Sequence, residues 1–432
     1  MSPRAVDPRA ATPGSEPLQS IDDWDRPWLP WPVRVLNRLP DGVARRMASL
    51  DEASLLQAAM RATGLHDFGD AAFREPLQLL LGDLEEDGGL TPLGRITART
   101  LLGQLLRARL RVEDGLARHP EAAQQEVRCP IVIVGLPRTG TTHLHNLLSE
   151  VPGLRSLPLW ESIEPVARVR GRLPLPDLRR ARTALRMRQL DYLLPLFRSM
   201  HPMEADLPHE ELQLSALTFR SFFFEGSFRL PRYRPWYAAG DQREAYVYLR
   251  RVLQLLQSVR GSGRWVLKSP QHLEQIDALH AAFPDAKIVR THRDPVRALL
   301  SLATMITYTR RVCYRDLDPA TEGRAWAERL EQMLRASLEQ ADRLPPGSTL
   351  DVRFDDFVRD PAKTVGQVLA FAGAGAGFAA TAGERVHERL RSQDESRSER
   401  FVYRFEDLGL DRDELRERFR FYRERFDLAD EA

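Results

Sequence analysis

Three short stretches of this chain carry residue types suited to gripping anions. The first is CPIVIVGLPRTGTTHLHNLL, residues 129–148. Gly135 and Gly140 bracket a loop whose backbone N–H groups can converge on one anion, and the helix expected after it adds its own unpaired N–H groups and the positive end of its dipole. The G-x-x-x-x-G spacing is that of a Walker A loop, yet the residue after Gly140 is Thr141, followed by Thr142, where a nucleoside triphosphatase carries lysine. The cation sits inside the loop instead, at Arg138, beside Thr139. One arginine and several hydroxyls suit a short anionic chain better than a magnesium-bound triphosphate. A plain strand–helix turn needs none of these residues. The second stretch is HRDPVRALLS, residues 292–301, in which Arg293 and Ser301 are eight apart. With Arg293 at a strand end and Ser301 about two helical turns further on, both can reach one phosphate from different sides. The plainer alternatives are an ion pair from Arg293 to a carboxylate and a helix-surface hydroxyl at Ser301. The third is Lys268, at the end of the apolar run WVLK.

These residues fall where a parallel sheet would bring them together. Ile131–Val134 is a β-branched run with the pattern of a strand covered on both faces. Further strands are expected over 265–268, 286–292 and 348–354, each followed by a turn and a helical pattern such as that over His272–Phe283, with an amphipathic helix over Glu244–Val259 before the first of them. Repeated strand–turn–helix units predict an α/β fold, P-loop-like and three-layered (α/β/α), with a central parallel sheet. Ligands in such sheets bind outside the carboxyl ends of the strands, the position shared by the glycine loop, Lys268 and Arg293.

Before that domain, residues 35–126 read as a helical N-terminal subdomain. Ser49-Leu-Asp-Glu52 has a capping-box pattern, Thr91-Pro92 is a helix start, and Arg95, Arg99, Arg107 and Arg109 are expected on a solvated helix face. Residues 1–34 read as a Pro-rich lead, disordered or extended, pinned by Trp24, Trp28 and Trp31. The α/β domain is expected over 127–432. Its middle is rich in rings, with Phe222, Phe223 and Phe224 adjacent and Tyr233, Trp236 and Tyr237 close behind. Aromatic loops over a sheet are a usual pocket lining, although core packing suits most of these rings individually.

Composition excludes several classes. The chain has 432 residues with 63 Lys plus Arg against 61 Asp plus Glu, so overall charge gives no reason to expect nucleic acid or an anionic membrane as partner. No apolar run approaches a membrane span, and the first residues lack a signal-peptide core. The two cysteines, Cys129 and Cys313, form neither a metal spacing nor a disulfide framework, and a reducing cytoplasm is the expected compartment.

The loop PRTGTT resembles the 5′-phosphosulfate-binding loop of sulfotransferases that use 3′-phosphoadenylyl sulfate (PAPS), and Arg293 with Ser301 resembles their 3′-phosphate-binding element. The likeness spans roughly residues 128–430 and is nearest to the large bacterial branch, actinobacterial members included. It implies transfer of a sulfuryl group from PAPS, without metal, to a hydroxyl or amine of a small-molecule acceptor that the ring-rich middle suggests is apolar or aromatic. By the same resemblance Arg138, Thr139, Gly140, Thr141 and Thr142 hold the 5′ end of the donor, and Arg293 and Ser301 hold its 3′-phosphate. Lys268, in VLKSPQHL, looks like the lysine that assists the leaving phosphate oxygen in the tyrosylprotein branch, an effect of about 3 kcal/mol on the transition state. Arg138 would share in it. Glu161, in LWESIEP, follows the loop at nearly the distance of that branch's catalytic glutamate, about two residues more. The cytosolic branch uses histidine as its base, so His201, His209 and the Glu210-Glu211 pair compete with Glu161. Where the cytosolic family often has tyrosine before an acidic pair, this chain has Phe354. A P-loop kinase and a non-catalytic nucleotide-binding homologue are the rival classes. The two grips fit one nucleotide only if the Arg293 guanidinium lies within about 15 Å of Gly140.

Overall fold

Alternation decides the layers. Along Ile131–Val134 every side chain is buried, but Val132 and Val134 join one hydrophobic cluster while Ile131 and Ile133 join another. A strand with period-2 side chains and two apolar faces needs cover on both. A computed structural model of the chain describes residues 18–24, 27–86, 89–170, 173–174, 176–374, 383, 385–391 and 400–431. Its central sheet has five strands: β1 (Ile131–Val134), β2 (Leu154–Arg155), β3 (Arg264–Lys268), β4 (Lys287–His292) and β5 (Thr349–Arg353). The order is β5-β4-β1-β3-β2 and every pairing is parallel. Strand β1 is central, with Ile131 opposite Val266 on one side and Lys287 on the other. The fold is thus a mostly helical three-layer α/β arrangement about a parallel sheet.

Helices α1 (Glu52–Thr63), α2 (Arg74–Glu86) and α3 (Pro92–Arg118) precede the sheet. Next come α4 (Thr141–Ser149), α5 (Arg179–Leu193), α6 (Arg243–Arg260), α7 (Pro295–Arg310), α8 (Pro319–Ala341) and α9 (Pro361–Phe371). On one sheet face α4 and α9 pack Leu144, Leu147, Leu148, Val365 and Val368 against Ile131, Ile133 and Val289. On the other face Leu55, Leu77, Leu102 and Leu106 of α1 to α3 belong to the same continuous core as Val132, Val134 and Ile288.

Several local expectations are corrected. Helix α1 is capped by Asp51, which accepts from Ser54 N at 2.8 Å, rather than by Ser49; Thr91 does cap α3, accepting from Gly94 N at 3.0 Å. The arginines of α3 are not a solvated face. Arg95 is buried on Glu85, and Arg109, 3% exposed, donates to the carbonyls of Phe68, Leu217 and Asp70 between the rings of Phe73 and Tyr248. A guanidinium with five donors can tie irregular backbone to a helix, a use that helical periodicity does not reveal. Of the tryptophans, Trp24 packs on a buried cluster, whereas Trp28 and Trp31 are 48% and 68% exposed, and Trp31 opens a short helix. Residues 1–17, 25 and 26 of the lead lie outside the described residues. The expected helix over His272–Phe283 divides into a 3-10 turn, Pro270–Glu274, and a helix, Ile276–Ala282.

The ring-rich middle is core. Phe219, Phe222, Phe224, Phe228, Tyr233 and Tyr237 are buried with α1 to α3, and the Tyr233 hydroxyl donates toward the carbonyls of Phe219 and Ser221. They pack into the core because the N-terminal helices need apolar cover and take it from them. No helix among the described residues is long and apolar enough to cross a membrane.

Candidate active site

The glycine loop turns where steric room permits. At Gly135 a Cβ would stand 2.1 Å from Thr291 Oγ1, so only glycine lets β1 and β4 approach there. The Thr139 hydroxyl donates to the Leu136 carbonyl at 2.7 Å and lies 2.7 Å from Thr291 Oγ1, which locks the loop onto β4. That hydroxyl is therefore inside the structure, and the Thr139 N–H also turns inward, donating to the Leu136 carbonyl at 3.3 Å. Arg138 and Gly140 both adopt left-handed backbone, φ 75° and 84°. Left-handed residues within such a loop turn successive amides toward one side, as anion nests do. Gly140 caps α4 with no side-chain bond, so the first amides of that helix remain available.

Lys268 closes one side of the loop. Its Nζ is 3.3 Å from Thr142 Oγ1 and 2.5 Å from Glu210 Oε1, and its side chain is only 4% exposed. Behind it, Glu211 accepts from the backbone N–H of Lys268 at 2.9 Å and pairs with His272 Nε2, whose Nδ1 lies 2.7 Å from the Tyr246 hydroxyl. Burial is the largest influence on the Glu210 carboxyl and raises it, but the charge and hydrogen bond of Lys268, together with His209 and His201, outweigh it jointly and leave the group below its ordinary value. For Glu211 burial again raises, and the pairing with His272 and the backbone N–H bonds together bring it below its ordinary value. Desolvation drives His201 down to about 4 and His209 to about 3, so both rings are neutral and weakly basic at neutral pH. Arg138 Nη1 donates to the Met200 carbonyl at 2.8 Å, joining the loop to this histidine- and glutamate-bearing segment.

Arg293 closes the other side. Its Nη1 donates to the Arg138 carbonyl at 2.7 Å, and its guanidinium lies 3.9 Å over the Phe354 ring. Residues 138 and 140 are at most about 7 Å apart along the chain, so Arg293 falls well within the span set above. Phe354, expected at a strand end, opens the helix Phe354–Arg359, and its ring would meet a Cβ on Gly140 at 3.2 Å. Ser301, two turns into α7, is not a surface hydroxyl: it is 5% exposed, and its Oγ has no hydrogen-bond partner. An unpaired buried hydroxyl costs about 1–3 kcal/mol, so it calls for a partner. Asp294, at the start of α7, does not pair with Arg293. The partner is Glu431, at 2.7 Å and 2.5 Å to the two guanidinium nitrogens. That glutamate is carried in by the last helices, where Tyr422 and Phe426 pack on His292 of β4.

The structure therefore brings Gly140, Thr142, Arg138, Lys268, Arg293 and Glu210 around one loop. Glu161 is directed elsewhere: it is 2% exposed, and its carboxylate is held by Arg260 Nη1 at 2.8 Å and by Arg155 Nη2 at 3.6 Å. Sequence reasoning missed Thr291, Glu431 and the Glu211–His272–Tyr246 chain. A threonine in a strand and a glutamate 138 residues from Arg293 give no local signal. Adjacent acids at 210 and 211 gave one, because side chains one apart beside a strand end point in different directions and can serve different partners.

A model of the sulfotransferase family matches residues 130–375, more than half of the chain. No curated protein matches it significantly. Among solved structures, sulfotransferase STF9 from Mycobacterium avium superposes with a TM-score of 0.77 at 27% identity, covering 88% of this chain and 97% of its own. Sulfotransferase STF1 from Mycobacterium tuberculosis H37Rv gives 0.71 at 28% identity, covering 85% and 98%. Both coverages exceed the family segment, so these relatives share much of the flanking architecture as well. With the uncapped glycine loop at the head of a central parallel strand and basic side chains on both its flanks, the chain belongs to the sulfotransferase family.

Proposed function

We propose that this sulfotransferase moves a sulfuryl group from PAPS to a hydroxyl or amine of a small-molecule acceptor and releases adenosine 3′,5′-bisphosphate. The observation that carries the reading is the pairing of two grips on one loop: Lys268 against Thr142 on one flank, Arg293 against the Arg138 carbonyl on the other. The loop amides from Gly140 to Thr142, with the Thr141 and Thr142 side chains, hold the 5′-phosphosulfate, on a turn that Thr139 braces. Arg293 and the unpartnered Ser301 hydroxyl hold the 3′-phosphate, and Phe354 offers a ring face near the same end. Glu431 gives way to that phosphate.

In the chemical step the acceptor oxygen or nitrogen forms a bond to sulfur as the bond from sulfur to the 5′-phosphate oxygen breaks. The acceptor proton passes to Glu210, and Lys268, with Arg138 beside it, offsets charge on the departing phosphate oxygen. Glu210 is preferred to Glu161 because it is the carboxylate on Lys268, while Glu161 neutralises Arg260 and Arg155. The two histidines are weak bases here. Fixed charge and positioning supply most of the rate, as in phosphoryl transfer, and no metal ion is required to grip a singly charged sulfuryl group. The buried rings of the middle region give no support for an aromatic acceptor, so acceptor class is left to experiment. The test is incubation with isotope-labelled PAPS and an acceptor library, read by mass shift, together with calorimetric titration of adenosine 3′,5′-bisphosphate against AMP and ATP. Transfer with a clear preference for the 3′-phosphorylated nucleotide is expected. Equal affinity for the nucleotides with and without that phosphate overturns the donor assignment.

A further inference from the structure

Glu164 is 3% exposed, and its carboxylate is shared by four arginines. Arg182 donates from Nε at 3.1 Å and Nη2 at 2.7 Å, and Arg186 Nη2 stands at 3.4 Å. Arg168 and Arg111 lie further out, at 3.8 Å and 3.9 Å. A fifth, Arg107, one helical turn before Arg111 on α3, makes no ion pair among the described residues. Between Glu164 and Asp177 the sequence contains no other acid, and Asp177 is committed to Arg179. Five positive charges drawn from α3, α5 and the segment just after Glu164 thus lie about one negative charge.

One carboxylate has about four lone-pair positions and cannot satisfy five planar forks of donors. The shortfall is visible in an atom: Arg186 Nη1 is buried without a hydrogen-bond partner. It is visible in the charges too. Burial, then the neighbouring arginines, bring Arg111 down to about 10 and lower Arg107, and burial likewise lowers Arg186 against the pull of Glu164. Leaving like charges together under partial cover is unfavourable unless a counter-ion completes the set.

We propose that this arginine recess is a binding site for a compact multivalent oxyanion, of the diphosphate or phosphomonoester class, separate from the glycine loop. Guanidinium forks match tetrahedral oxyanions two donors at a time, and Glu164 acts as the central post that keeps them aimed when the site is empty. The ligand is a soluble one. The Arg111, Arg182 and Arg186 side chains are only 12%, 24% and 31% exposed, too recessed for the flat face of a membrane.

The test is calorimetric titration of the full chain with pyrophosphate in the presence of saturating adenosine 3′,5′-bisphosphate, repeated on Arg293→Ala so that the result does not depend on how the donor binds. One equivalent of pyrophosphate is expected in both. Affinity should fall at least tenfold in Arg182→Gln/Arg186→Gln, with folding checked by circular dichroism. Should that variant not fold, Glu164→Gln serves: removing the central negative charge should tighten pyrophosphate several-fold and enlarge the rise in Tm that pyrophosphate produces. Absence of binding at millimolar pyrophosphate, or unchanged affinity in the folded double variant, overturns the site. So does arginine-dependent sedimentation with phosphatidylglycerol vesicles in a chain that ignores pyrophosphate.

Discussion

The two flanks of the glycine loop each present a cation already paired with a carboxylate, and the pairs differ in how they are held. Lys268 and Glu210 are 4% and 17% exposed, and the strand beneath them is pinned by Glu211, itself fixed by His272 and Tyr246. Arg293 and Glu431 are 19% and 24% exposed, and Glu431 arrives from a remote segment. The first pair is locked by a buried network, which under the proposed function suits charge and proton handling at fixed geometry. The second is more exposed and comes from a remote segment, and under the same proposal Glu431 is the counter-ion that the 3′-phosphate displaces. A catalytic grip must not move, whereas a binding grip must be vacated and refilled.

The largest effect that would test this contrast is expected at Lys268. Replacing it in the Lys268→Met/Glu210→Gln pair, which avoids stranding a buried charge, should lower kcat by about a thousandfold with affinity for adenosine 3′,5′-bisphosphate changed only about twofold. Single-turnover assays and calorimetry on the same preparation decide it, and a parallel loss of binding would erase the distinction between the flanks. Glu210→Gln alone should lower kcat about a hundredfold. Because Glu210 is held below 4.5 and the catalytic form is ionised, wild-type kcat should stay level from neutral pH downward and fall only below the ordinary carboxylate range. The same depressed value means that Glu210 contributes stability above its unfolded pKa and loses it as pH falls through the folded one. A limb near pH 6.5 that vanishes in His209→Asn would transfer the base role to histidine.

At the other flank, Arg293→Ala should lower affinity for adenosine 3′,5′-bisphosphate about ten- to a hundredfold, the worth of a charge-assisted hydrogen bond, while leaving AMP within about threefold. Equal losses for both nucleotides count against the 3′-phosphate role. The smallest effect is expected at Glu431→Gln, where removing the competing carboxylate should tighten the bisphosphate by roughly two- to fivefold at low salt and less at high salt. Weaker binding in this variant would make Glu431 part of the support for Arg293 rather than its placeholder.

Much of this could be read from the chain. Strand β1, the loop and α4 are contiguous, and their β-branched run, glycines and apolar spacing act on the same few residues. Arg293 at the end of β4 and Ser301 two turns into α7 lie on one contiguous strand–turn–helix unit, so their positions at the same sheet end could be read from the sequence. Glu210 and Glu161 were harder to rank, because which of two acids reaches a lysine depends on segments that meet only after folding. The arginines of α3 misled for a related reason. Their positions on a helix are periodic, but whether a helix face meets water or the loops of residues 68–70 and 217 is settled by docking. The rings at 219–237 show the same limit, since aromatic composition serves a pocket and a core equally well.

Local sequence thus determined the parallel sheet, the glycine turn at the head of α4 and the identity of the cations around it, because backbone propensity, glycine sterics and side-chain period operate over a few residues. Tertiary structure alone decided which carboxylate sits on Lys268, that Glu431 covers Arg293, and that four arginines share Glu164. Charge pairing falls off with distance in space, and only the fold converts residues that are far apart in the chain into neighbours.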